Sequence, residues 1–200
     1  MKGAAARQAE IIGPPQRIAP LPSDEFPPEA TALAGLLRDA LAYDEDIIPD
    51  YFATMFRHPG LYRLQMETGA LLLGSGSIPA RERELAVLRV GWLCGAPYEW
   101  SAHVDIARKV GMTPAEIERV TAGSAAPEWS DHERAILRGV EELIGDHMLS
   151  DATWAALAQV WDEHQLIEFP SLVGQYITVA LIQNSLRIRL NEGSLGLMER

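Results

Sequence analysis

The chain has 200 residues, 48% hydrophobic and 22% charged, the proportions of a soluble globule long enough to bury a sizeable core. Its formal net charge of −11 repels phosphate backbones and anionic membrane surfaces, so neither nucleic acid nor membrane is an expected partner. The single cysteine, Cys94, rules out an intramolecular disulfide and fits a cytoplasmic protein.

In chain order, residues 1–28 read as an extended tail, because Pro14, Pro15, Pro20, Pro22, Pro27 and Pro28 remove backbone donors and disfavour helix. The first residues lack the apolar run of a secretory leader. Residues 29–200 read as one all-α domain, a bundle of eight to nine helices. They are predicted near 29–42, 48–57, 59–74, 79–94, 97–110, 114–122, 131–148, 151–163 and 170–190. Thr113-Pro114-Ala115-Glu116 is a capping box with proline at the first helical position, and Ser130-Asp131-His132-Glu133 is a second box. Gly111 stands where a helix end favours a left-handed residue. No stretch alternates with period two, so no sheet is expected. The segment 171–190 is apolar nearly all round, as in a central helix or a subunit interface. Its longest apolar run, near Ile177 to Ile182, is too short to span a membrane. Glu84-Leu85-Ala86-Val87-Leu88-Arg89 echoes Glu133-Arg134-Ala135-Ile136-Leu137-Arg138, which leaves an internal repeat open.

The chemistry concentrates between Arg81 and Thr113. Glu99 and His103 are four apart, so on a helix they share a face and can touch. That face continues through Ile106, Ala107 and Val110, an apolar stripe. Either the pair satisfies itself structurally, or the stripe opens into a cavity where the two do acid–base work. Antiparallel packing of helices 79–94 and 97–110 would bring Glu84 within reach of His103; alternatively Arg81, Glu82, Arg83 and Glu84 form a surface salt-bridge cluster. Cys94 has no Cys-x-x-Cys partner and no adjacent cation, so it reads as an inert thiol more than a reactive one. The spacing of Glu and His does not make a metal site, and there is neither a phosphate-binding loop nor a Gly-x-Ser-x-Gly elbow.

The run Arg81-Glu82-Arg83-Glu84-Leu85, then Tyr98-Glu99-Trp100-Ser101-Ala102-His103, then Gly111-Met112-Thr113-Pro114-Ala115-Glu116-Ile117 resembles the carboxymuconolactone decarboxylase and alkylhydroperoxidase D-like superfamily. The resemblance covers roughly residues 45 to 190. Matched to the peroxidase branch on His103, the thiol positions fall on Ala96 and Glu99, so both sulfurs are missing, whereas Glu84 and His103 match that branch's proton relay. Arg81, Arg83, Glu99 and His103 match the decarboxylase branch, which the chain resembles more.

The resemblance implies a cofactor-free, metal-free decarboxylase or lyase acting on a small carboxylated lactone or oxo-acid from aromatic ring-cleavage catabolism. His103 would move the proton, Glu99 would orient it, and Glu84 would serve as a second relay or bind a ring oxygen. Arg81 or Arg83 would hold a carboxylate, and Tyr98 and Trp100 would wall the pocket. Two alternatives stand beside it: a peroxidase using Cys94 alone, and a non-catalytic module for small-ligand binding or assembly. Self-association as dimer, trimer or hexamer is also implied.

Overall fold

The computed structural model describes residues 3–28 and 48–200. Among the described residues there are nine α-helices and no strand. The helix expected over 29–42 lies outside them.

Helix α1 (Ala4–Ile12) corrects the extended tail expected at the N-terminus. Its sequence, AAARQAEII, consists largely of strong helix formers, and the first proline comes only at Pro14. The prolines act beyond that point, where the described chain holds only a 3₁₀ turn at Ser23–Glu25. Arg189 ties this stretch down by donating to the carbonyls of Ile12 and Pro14.

Helices α2 (Asp50–Met55) and α3 (Pro59–Ala70) follow. Proline opens α3, and the His58 ring caps it by accepting from the Leu61 N–H at 3.2 Å. The helix then widens into a π-helical segment, Leu71–Ser75. Next come α4 (Ala80–Leu93), α5 (Pro97–Lys109), α6 (Pro114–Ala122), α7 (Asp131–Gly145) and α8 (Asp151–Leu157). Both expected capping boxes form.

Helix α9 (Glu163–Leu186) begins earlier than expected and runs through Pro170. A third capping box, between Asp162 and Gln165, sets that start. By length and composition α9 is also apolar enough to cross a membrane, although its longest uninterrupted apolar run is short, because uncharged Ser, Gly, Gln and Thr fill the gaps. One face packs Leu166, Phe169, Leu172, Val173 and Tyr176 into the core, while Ile167 and Leu181 are exposed. The all-round apolar character thus serves a helix buried on one side.

Helix α4 packs against α5, α7 and α9. Leu85 and Leu88 meet Trp100, Val104, Ile136 and Leu172 in the main core. A second, aromatic cluster gathers Tyr51, Phe52, Phe56, Tyr62 and Tyr98, with Phe56 edge-on to Tyr62 at 4.9 Å.

Arg89 is buried in this packing. Its guanidinium donates to the carbonyls of Val120 and Thr121 at 3.0 and 2.9 Å and pairs with Glu141 at 2.8 Å. Arg89→Met leaves those carbonyls and a half-covered carboxylate without their donor. We expect a loss of about 2–3 kcal/mol, read as a fall in Tm of about 5–10 °C in a thermal melt.

Candidate active site

The site begins with a hairpin of helices. Helix α4 ends at Cys94, Gly95 takes φ +54°, and Pro97 opens α5. Glycine permits the left-handed turn and proline presets the next helix, so the chain reverses tightly. Glu84 and His103 thereby face one another across the two helices.

His103 Nδ1 lies 2.7 Å from Glu84 Oε2. An ionised carboxylate only accepts, so this ring nitrogen carries the proton, and in the neutral ring the lone pair sits on Nε2. Glu84 is fully buried, and its other oxygen accepts from Arg83 Nε at 2.9 Å. Arg83 also donates to the Leu73 carbonyl in the π-helical segment at 2.9 Å. The imidazole is therefore fixed by a chain running from Leu73 through Arg83 and Glu84. The Tyr176 ring meets it edge-on at 4.8 Å. Burial, with the Glu84 carboxylate nearby, pushes the Tyr176 hydroxyl well above its usual range, so the phenol keeps its proton.

A cavity of ≈80 Å³ adjoins His103, where the aromatic cluster meets the main core. Glu99 lines it at 2% exposure, and neither of its carboxylate oxygens has a hydrogen-bond partner. Burial without a compensating partner holds its carboxyl well above the usual carboxylate range. Two glutamines on the same cavity also have an unpartnered atom, Nε2 of Gln65 and Oε1 of Gln183. Each buried orphan costs about 1–3 kcal/mol when nothing satisfies it.

The expected site residues divide. His103, Glu99 and Tyr98 line the cavity, and Glu84 stands directly behind His103. Glu99 does not orient His103 as expected. Nδ1 is turned across the hairpin to Glu84, and both oxygens of Glu99 are without partners. The carboxylate clamp expected of the arginines is corrected too. Arg81 is engaged by Glu133 at 2.5 Å and by Glu116, and Arg83 by Glu84, so neither guanidinium lines the cavity. Trp100 is a core residue whose indole N–H donates to the Glu199 carbonyl at 3.0 Å. Cys94 opens on a separate cavity of ≈440 Å³ with Arg7, Trp92 and Leu197. Burial, opposed by Arg7, pushes its thiol up to about 12. Sequence reasoning missed Tyr51, Gln65, Tyr176 and Gln183. The available signal was a glutamine two turns after Tyr176 on the buried side of an apolar helix.

A model of the carboxymuconolactone decarboxylase family matches residues 59–142. No curated protein sequence matches the chain. Among solved structures, an uncharacterized peroxidase-related protein from Ralstonia eutropha with an alkylhydroperoxidase AhpD core is similar, at 20% identity and TM-score 0.76 over 90% of this chain and 94% of that one. A peroxidase-related protein from Silicibacter sp. aligns at 15% identity and TM-score 0.73, over 89% and 93%. A cysteine-to-alanine variant of the debrominase Bmp8, in complex with 2,3,4-tribromopyrrole, aligns at 15% identity and TM-score 0.73, over 88% and 91%. At these identities the structural likeness is one of fold. The family match over residues 59–142 and the shared all-helical architecture make this chain similar to the carboxymuconolactone decarboxylase and alkylhydroperoxidase D-like superfamily.

Proposed function

We propose that the chain is a cofactor-free acid–base enzyme that moves a proton at a carbon beside a carbonyl group, and that it releases CO₂ from a small carboxylated lactone or oxo-acid. One observation carries this reading. A single cavity joins an imidazole whose Nδ1 is held by Glu84 to a carboxyl, Glu99, that burial keeps protonated. A buried carboxyl that keeps its proton and an imidazole held by a second carboxylate can each pass a proton to a molecule in the cavity.

In the step we envisage, the C–C bond to the carboxylate breaks and its electron pair passes toward the neighbouring carbonyl. The carbonyl oxygen takes the Glu99 proton and becomes an enol, and CO₂ leaves. Glu99 then recovers the enol proton while the imidazolium of His103 protonates the carbon; solvent restores His103. A neutral Glu99 does not repel the substrate carboxylate. With no guanidinium on the lining, that carboxylate sits among Phe52, Met66 and Val179, and its poor solvation there favours loss of CO₂.

The peroxidase alternative has less support, because a thiol near 12 supplies little thiolate at neutral pH. A panel of small oxo-acids and lactones in D₂O separates the readings. We expect CO₂ release with deuterium placed beside the carbonyl, unchanged in Cys94→Ser. Absence of both across the panel, with binding retained, would leave the non-catalytic module standing.

A further inference from the structure

The polar lining of the cavity has a definite pattern of donors and acceptors. Gln65 Oε1 accepts from the Tyr51 hydroxyl at 3.2 Å, so the amide is oriented with its donor, Nε2, left over. Gln183 leaves an acceptor, Oε1, without a partner. The two residues are 5% and 4% exposed, so bulk water does not serve them. They come from α3 and α9, and Glu99 comes from α5. Seven buried side-chain N or O atoms among the described residues lack a partner, and four belong to these three residues on one cavity. Polar groups this concentrated and this incompletely satisfied match a ligand better than they match a packing role.

We propose, resting on the acid–base reading of the same cavity, that Gln65 and Gln183 are its specificity-determining pair: Gln65 Nε2 donates to a carbonyl oxygen of the substrate, and Gln183 Oε1 accepts from a hydroxyl or amide N–H on the same molecule. The cavity therefore selects a carbonyl compound that also carries a donor over a plain ketone or ester. Phe52, Met66, Ile106 and Val179 supply apolar contact and no competing hydrogen bond.

Two probes of equal heavy-atom count test the pair: propionamide, which offers both a carbonyl and an N–H, and butanone, which offers the carbonyl alone. Binding is followed by NMR titration of the glutamine side-chain amides. Wild type is expected to bind propionamide about tenfold more tightly, as one retained hydrogen bond allows. Gln183→Met should bring the two probes to within about twofold, and Gln65→Met should weaken both alike. Because Gln183→Met also removes a buried orphan, its Tm should rise by about 2–4 °C, where a merely structural glutamine would lower it. Equal binding of the probes by wild type, no shift from either up to its solubility limit, or discrimination retained in Gln183→Met overturns the proposal. Discrimination is read without turnover and should persist in His103→Gln, so the polar pair and the catalytic reading fail separately.

Discussion

His103→Gln should lower turnover by about 10²- to 10⁴-fold, the usual contribution of a positioned acid or base, without a comparable loss of stability. Glutamine can still donate toward Glu84, so the buried carboxylate keeps a partner in addition to Arg83. Alanine is the less informative replacement, since it takes one of Glu84's two donors away and mixes a folding defect with a catalytic one. The decisive comparison sets kcat against Tm in the same variant. A small change in kcat would remove His103 from the chemistry. A collapse in Tm alongside kcat would make the Glu84–His103 contact a structural strut between α4 and α5.

Glu99→Gln has the second large effect, and it acts in opposite directions on activity and stability. The Glu99 carboxyl is held well above the ordinary value near 4.3 by burial alone. Between that ordinary value and its value in the fold, the native protein holds a proton that the unfolded chain has released. Native-state stability is therefore full below about pH 4.3 and falls as pH rises, by up to about 1.4 kcal/mol per pH unit, until Glu99 ionises in the fold. Glutamine never ionises, so the variant should lose this slope and melt higher than wild type near neutral pH. Turnover should fall by about 10²- to 10⁴-fold, because the acid is gone. Chemical denaturation across pH 5–8 checks the slope. A parallel pH dependence in variant and wild type would show that Glu99 is not the group held protonated.

The acid limb behaves differently and gives an internal control. Burial raises the carboxyls of Glu116 and Glu133, but hydrogen bonds from Thr113 or Ser130 and from Arg81 outweigh it, so both lie below the usual range. Their contribution is present above the ordinary carboxylate value and is lost as pH falls through the value in the fold. Glu99→Gln should leave that limb unchanged.

The amino-acid sequence alone determined the helical class, most helix boundaries and the polarity of the two helix starts at Thr113 and Ser130. Those features depend on neighbours three or four residues away, through capping, periodicity and the punctuation of Gly111 and Pro114. Glu84, Glu99 and His103 were legible for the same reason, as polar residues bordering apolar stripes. Local spacing did not reveal which carboxylate holds the imidazole. It pointed to Glu99, four residues away, whereas the packing of α4 on α5 delivered Glu84 and left Glu99 alone. The tertiary structure also decided the fate of the arginines. In the sequence Arg81 and Arg83 read either as a carboxylate clamp or as part of a surface salt-bridge cluster with Glu82 and Glu84, and the folded chain brings Glu133 to one and Glu84 with the Leu73 carbonyl to the other. Gln65 and Gln183 were hidden for the same physical reason: a polar side chain acquires its meaning from the partners that distant helices bring to it, or leave out.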